Sequence, residues 1–339
     1  MTRILIVTDA WAPQVNGVVR SLENVVREAP RFGVEIRLLT PASFLTVPLP
    51  TYREVRVALT RPGAIAARIE EVAPDYIHIA TEGPLGICAR AACLRNGLPF
   101  TTSYHTRFPE YLAARRLAPV SLTYALMRRF HNAGAGMMVA TASLERELEG
   151  RGFKHLMRWS RGVDSHLFRP REHSVLDLPR PIFLTCGRLA IEKNLGAFLS
   201  LDLPGSKVVV GDGPARQELE ARFPKAHFTG VLEGDALASV YASADVFVFP
   251  SRTDTFGIVL LEALACGVPV AALPVAGPLD VLGDSGAGVL DHDLAGAALA
   301  ALKIPRDKAR AHALSFSWSA CARQFIDNVR SAHVVDAPH

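Results

Sequence analysis

The sequence predicts an α/β chain of two Rossmann-like domains facing a cleft, on three observations. Short apolar runs alternate with amphipathic segments from one end to the other. The alternation pauses once, near Arg161-Gly162-Val163-Asp164 and the polar, proline-containing run 169–181, and then restarts. A chain of 339 residues is also long for one hydrophobic core. Alternating strands and helices imply right-handed crossovers and a parallel sheet covered on both faces. Such sheets take their ligands at the carboxyl ends of the strands. The predicted division is 1–168, 169–316, and a last helix with tail, 317–339.

In the first half, Ile4 to Thr8 is a short apolar strand, followed by a loop ending at Asn16-Gly17 and an amphipathic helix over about 18–28. A strand is expected over 34–40, an irregular excursion over the proline- and threonine-rich 41–62, then helix 63–73, strand 76–79, helix 84–96 and strand 100–103. The loop Tyr104-His105-Thr106-Arg107-Phe108-Pro109 comes next, then helix 119–132 and strand 137–140. The second series reads as strand 182–186, helix 194–201, strand 207–210, helix 214–222, strand 226–229, helix 235–242 and strand 245–249. Strand 268–272, further helices to about 314 and a last helix over about 318–332 complete it.

Composition excludes several classes. No apolar run approaches the ~18 residues of a membrane span, and the first residues lack a signal peptide's long apolar stretch and small-residue cleavage site. The five cysteines are scattered, with no Cys-x-x-Cys pair and no histidines at zinc spacing, which suits reduced thiols in a cytoplasmic protein. A net charge of +4 permits an anionic substrate or surface without requiring nucleic acid.

Residues 250–269 concentrate the chemistry. Pro250 and Ser251 stop the preceding strand. Asp254 and Thr255 are helix-capping types, Gly257 opens an apolar helix, and Gly267 with Pro269 closes it. Glu262 is a carboxylate inside that helix, and burying it costs several kcal/mol unless it meets hydrogen-bond donors. Two readings stand side by side. Either the helix end is a phosphate seat flanked by carboxylates that hold hydroxyls, or Asp254 is only a cap and Glu262 is satisfied within the protein. Gly187-Arg188 to Lys193 follows a strand and opens a helix, placing two cations where a diphosphate would lie; a solvated loop paired with Glu192 is the alternative. Val210-Gly211-Asp212-Gly213-Pro214 is half a dinucleotide fingerprint, with Arg216 where the third glycine belongs. His105, at a strand end, and the Asn16-Gly17 turn, where a backbone could approach an anion, are weaker signals.

Together these segments resemble the retaining, nucleotide-sugar-dependent glycosyltransferases of the GT-B fold, family 4. The resemblance is carried by Gly187-Arg188 to Lys193, Val210 to Pro214, Phe228-Thr229-Gly230, Ala244 to Ser251 and the pair Asp254/Glu262. Ser103 to Pro109 and Arg161 to Phe168 are similar to the branch that glycosylates lipids: sulfoquinovosyl-, glucosyl-, glucuronosyl- and mannosyl-diacylglycerol synthases. The resemblance implies a C-terminal helix crossing back to the first domain. It implies that Glu262 holds the nucleotide ribose and that Arg188 and Lys193 neutralise the leaving diphosphate. Asp254 with Thr255, Phe256, Gly257, Ile258 and Val259 would hold the donor sugar and phosphate, alongside Gly187 and Gly211. His105 would face the sugar from the first domain, with Asn16 and Gly17 beneath it. A UDP- or GDP-sugar is the implied co-substrate, without a metal. Three departures stand out: Asp254 is one methylene shorter than the usual glutamate, Asn16-Gly17 replaces a common Gly-Gly, and the stretch 194–207 is short.

The implied reaction moves a hexose or hexuronic acid to a lipid, diacylglycerol in the first instance. A soluble or saccharide acceptor, or nucleotide-sugar 2-epimerisation, are the alternatives. The stretch 107–131 carries Arg107, Arg115, Arg116, Arg128 and Arg129 among aromatic and aliphatic residues, against one acid, Glu110. With the resemblance, it predicts peripheral docking on the cytoplasmic face of an anionic membrane.

Overall fold

The computed structural model describes residues 1–14, 16–48, 56–114 and 116–334. It divides into two compact units: Met1–Arg161 with the last helix, and Gly162–Ser317. Residues 162–168, assigned to the first domain from sequence, fall in the second unit.

The first unit runs β1 (Thr2–Val7), α1 (Gly17–Glu28), β2 (Val34–Leu39), β3 (Thr46–Pro48), β4 (Arg56–Ala58), α2 (Pro62–Val72), β5 (Tyr76–Ile79), α3 (Pro84–Arg95), β6 (Thr101–Tyr104), α4 (Phe108–Ala114), α5 (Val120–His131), β7 (Gly136–Val139), α6 (Ala142–Gly150) and β8 (Leu156–Arg158). The second continues β9 (Ile182–Cys186), α7 (Leu195–Leu199), β10 (Ser206–Val210), α8 (Arg216–Arg222), β11 (His227–Gly230), α9 (Gly234–Ser243), β12 (Val246–Phe249), α10 (Ile258–Ala265), β13 (Val270–Ala272), α11 (Ala276–Leu282), β14 (Gly288–Leu290), α12 (Leu294–Ala301) and α13 (Arg306–Ala313). The last helix, α14 (Trp318–Val334), packs on α1, β5 and β7 and so completes the first unit.

Each unit is built on a six-stranded sheet, β2-β1-β5-β6-β7-β8 in the first and β11-β10-β9-β12-β13-β14 in the second. Every strand pair within them is parallel. The continuous apolar runs are explained by burial on both faces: Ile4 to Val7 and Val246 to Phe249 are buried throughout. Strand order reverses between β1 and β5 in the first sheet and between β9 and β12 in the second, and these reversals are where loops diverge and ligands enter.

The excursion expected over 41–62 contains order: β3 and β4 pair antiparallel, so two short strands interrupt the irregular stretch. Four further elements went unforeseen. β8 and β14 are three-residue edge strands, and α6 buries only Leu144 and Leu148, with Thr141 accepting from the Leu144 N–H as its cap. α4, after His105, is one more short helix that the pattern did not announce.

At the first reversal, Asp9 closes the crevice. Its Oδ1 accepts from the Leu85 N–H at 2.9 Å and its Oδ2 from the Gly86 N–H at 3.2 Å and the Thr81 hydroxyl at 2.9 Å. Burial raises the Asp9 carboxyl above its usual value despite these bonds. α3 can come this near only because Gly86 has no side chain: a Cβ there would lie 1.9 Å from the Thr81 carbonyl oxygen. Gly86→Ala is expected to destabilise the first unit by about 1–3 kcal/mol through overpacking, although alanine is the better helix former. Gly150→Ala meets nothing within 4 Å and should not destabilise. Guanidinium unfolding of the two variants checks this, and equal midpoints would contradict the packing account.

Candidate active site

At the reversal of the second sheet, the loops after β9 and β12 run side by side, since those strands pair directly. The β9 loop is laced to its other neighbour by the Gly187 N–H to Val210 O and the Leu189 N–H to Asp212 O, each 2.9 Å. The lacing needs Gly211: at φ 129° it occupies a conformation that side chains rarely adopt, and a Cβ would lie 2.0 Å from the Gly187 carbonyl oxygen. On the β12 side, Asn194 Nδ2 donates to Pro250 O at 3.1 Å, and Lys193 Nζ lies 2.6 Å from Asp254 Oδ1. Burial alone would raise the Asp254 carboxyl, but the Lys193 charge and hydrogen bond, with a smaller pull from Ser251, hold it below the ordinary value. Asp254 Oδ2 is buried and makes no hydrogen bond among the described residues.

α10 begins next to this pair. Its N-cap is Gly257 at φ 88°, with no side-chain hydrogen bond to the helix end. Asp254, expected to cap it, is committed through Oδ1 to Lys193. A glycine at the N-cap offers the first-turn N–H groups no side-chain acceptor of its own. Gly267, at φ 73°, closes the helix as expected. Glu262, 2% exposed, accepts from the Tyr241 hydroxyl at 3.0 Å, so the protein itself supplies one of its donors. The backbone of 254–256 is also approached by α11: a Cβ on Gly277 would lie 2.8 Å from Phe256 O.

In the first unit, Asn16 caps α1, its Oδ1 accepting from the Val18 and Val19 N–H groups at 3.0 and 3.1 Å, and Gly17 is the first helical residue. His105 follows β6, and its Nδ1 is 3.2 Å from Arg161 Nη2. Burial first, then the positive Arg161 and the neighbouring His78 and His131, holds the His105 imidazole well below its usual range, hence neutral. Beneath it, His78 is fully buried between Thr101 and Ser103, and burial pushes it down to about 3. Among the described residues there is no group of three or more His, Cys, Asp or Glu side chains placed to hold a metal.

Two sequence families cover these units. Residues 15–167 match Glycosyltransferase Family 4 and residues 180–307 match Glycosyl transferases group 1. A GDP-mannose-dependent alpha-mannosyltransferase of Mycobacterium tuberculosis is 31% identical over 326 residues, covering 85% of this chain and 83% of the relative. The chain belongs to the family 4 glycosyltransferases. A sulfoquinovosyl transferase of Arabidopsis thaliana is 31% identical over 298 residues, 79% of this chain, which spans 58% of that relative's length. An alpha-monoglucosyldiacylglycerol synthase of Streptococcus pneumoniae is 26% identical, covering 88% of this chain and 78% of the relative. In fold, the chain is similar to sucrose-phosphate synthase from Thermosynechococcus elongatus, with TM-score 0.81 at 18% identity over 99% of this chain and 100% of that one.

In this family 4 chain, Gly187, Arg188, Lys193, Gly211, Asp254, Thr255, Phe256, Gly257, Ile258 and Val259 all lie on the laced loops or the start of α10, while Glu262 lies one turn further into the helix. Asn16, Gly17 and His105 belong to the other unit. Of the arginines read as membrane-facing, Arg107 is a correction. It is turned inward, 2.7 Å from Glu147 and 3.9 Å from Glu110, with 12% of its side chain exposed. Those partners come from α4 and α6, which the sequence reading did not foresee. Arg116, Arg128 and Arg129 are exposed, and Arg115 lies outside the described residues. Gly277, Tyr241 and Arg161 were given no role from sequence; the Gly277-Pro278 pair after a strand was a local signal for the first, and Arg161 stood at the head of the 161–168 run without an assigned partner.

The Lys193–Asp254 pair stabilises the second unit where Asp254 is ionised in the unfolded chain, above pH about 4. That contribution is lost as pH falls through the lowered folded value. With about a fifth of each side chain exposed or more, Lys193→Met is expected to cost about 1 kcal/mol at pH 7, the gap from wild type closing below pH about 4. Denaturant unfolding at pH 7 and pH 3 checks this; a gap independent of pH would show that the loss is not the ion pair.

Proposed function

We propose that the protein is a retaining glycosyltransferase that moves a hexose or hexuronic acid from a nucleotide diphosphate sugar to diacylglycerol at an anionic membrane surface. The observation that carries the donor half is the meeting, at one strand reversal, of the Arg188–Lys193 loop with the N-terminus of α10, whose N-cap is a glycine. When the sugar–phosphate bond breaks, negative charge builds on the diphosphate. Arg188, Lys193 and the α10 N-terminus meet that charge without reorganising, which is electrostatic stabilisation where charge develops. Lys193 is already steered by Asp254, whose second oxygen is available to a sugar hydroxyl. Glu262, oriented by Tyr241, is the ribose ligand in this reading. No carboxylate is assigned as a covalent nucleophile. The acceptor hydroxyl attacks from the face the diphosphate leaves, and the leaving phosphate takes its proton.

The acceptor half rests on α5 and the turn before it. Tyr124, Met127, Phe130 and His131 are its buried face, while Leu117, Leu122 and Leu126 are 68%, 53% and 61% exposed beside the exposed Arg116, Arg128 and Arg129. Exposed leucines flanked by arginines suit an anionic lipid surface, each cation adding about 1 kcal/mol. The diacylglycerol-glycosylating relative supports the same acceptor, and the mannosyl and sulfoquinovosyl relatives support a hexose-type donor. No helix among the described residues is long and apolar enough to cross a membrane, so the proposed attachment is peripheral, on the cytoplasmic face.

Arg188→Ala or Lys193→Ala should lower kcat/KM by about 30-fold, or ~2 kcal/mol, in an assay pairing labelled UDP- and GDP-sugars with diacylglycerol vesicles and identifying the lipid product by mass spectrometry. A double variant with near-normal turnover would refute the clamp. Vesicle sedimentation should rise with anionic lipid, fall with salt, and drop when Arg116, Arg128 and Arg129 become Ser. Binding that is absent or indifferent to salt would point to a soluble acceptor.

A further inference from the structure

Arg161 is a buried cation outside the donor loops. Its residue is 6% exposed, and no carboxylate lies within salt-bridge distance among the described residues. Nη1 donates instead to the carbonyl oxygens of Trp159, at 2.6 Å, and Ser160, at 2.9 Å, and the guanidinium lies over the Trp159 indole at 4.1 Å. Trp159 is itself fixed: it is fully buried, its indole N–H donates to Cys321 O of α14 at 3.2 Å, and its ring meets His105 edge-on. Ser160 is tied to the same helix by its N–H to Gln324 Oε1 at 2.8 Å. Arg161 thus has one orientation, and in it Nη2 is aimed at His105 Nδ1, 3.2 Å away.

A guanidinium can only donate, so His105 Nδ1 is the acceptor. In a neutral imidazole the proton then resides on Nε2. The surroundings oppose a second proton: burial, Arg161, and the nearby His78 and His131, the former neutral between two hydroxyls and the latter bonded to Thr102 and Glu82. We propose that Arg161 is a positioning residue that holds His105 as the Nε2–H tautomer, so that His105 offers a hydroxyl ligand of the first unit a hydrogen-bond donor and not an acceptor or a base. The link to turnover rests on the glycosyl-transfer reading; the tautomer does not.

Protein labelled with 15N at the histidine ring nitrogens decides the matter by long-range proton–nitrogen correlation, with the His105 signals assigned by their loss in His105→Gln. The wild type should show a protonated Nε2 and a bare Nδ1 from pH 6 to 8. Arg161→Met should release the lock, giving mixed tautomers or protonation at pH 6, with turnover down about tenfold and the donor KM little changed. Arg161→Lys should recover part of the turnover, because an ammonium can still donate to Nδ1. A wild-type spectrum with Nδ1 protonated overturns the proposal whether or not the variants fold, and so does an Arg161→Met variant with unaltered tautomer and turnover. The predicted spectrum in a protein that transfers no sugar would sink the glycosyl-transfer reading and leave the positioning role standing.

Discussion

The second sheet reverses its strand order between β9 and β12, and the candidate chemistry follows from that reversal. Strands that part in opposite directions leave their loops with no crossover between them, so a crevice forms at their carboxyl ends. Here the crevice is shaped by backbone and charge together. Gly211 lets the β9 and β10 loops touch, Asn194 tethers the β9 loop to Pro250, and the Lys193–Asp254 pair spans the gap. A helix that starts from a glycine N-cap begins in the same place, with the positive end of its dipole there. In the proposed reading, that dipole end and a cation held by one carboxylate oxygen form an anion seat arranged in advance.

The first sheet has a reversal of the same kind, and its chemistry is the opposite. Asp9 occupies it, bonded to Thr81 and to the first-turn N–H groups of α3. The helix end that could receive a phosphate is already capped by the chain's own carboxylate, so the two units cannot be interchangeable nucleotide sites. What the first unit presents instead is a hydrogen-bonded polar layer: His78 with Thr101 and Ser103, His131 with Thr102 and Glu82, and His105 with Arg161. Side chains of that kind can read hydroxyls through directed donors and acceptors.

Strand and helix alternation was legible because most β-strands at the two sheets' centres are short apolar runs between polar turns, β6 (Thr101-Thr102-Ser103-Tyr104) being the polar exception, and that pattern carries over to 1–140 and 182–272. The edge strands β8 and β14 were not, since three residues at a sheet edge need no periodicity. Gly187, Gly211 and Gly257 were legible as turn-formers, and all three adopt positive φ. Side-chain partners across long sequence distances were not. Asp254 looked like a cap and is an ion-pair partner 61 residues from Lys193. Arg107 looked like a surface cation and is an interior one, because Glu147 comes from a helix that only two buried leucines define. Arg161 gave no sign of its place beside His105, 56 residues away.

In the proposed reaction a diphosphate lies against the β9 loop and the start of α10. Amide hydrogen exchange read by mass spectrometry, with and without saturating UDP or GDP, tests this most directly. Slowed exchange in peptides covering 187–194 and 255–262, with the α3 N-terminus at 84–86 unaffected, is the predicted result. Protection confined to the first unit, or none in 187–194 and 255–262 with nucleotide bound, would contradict it.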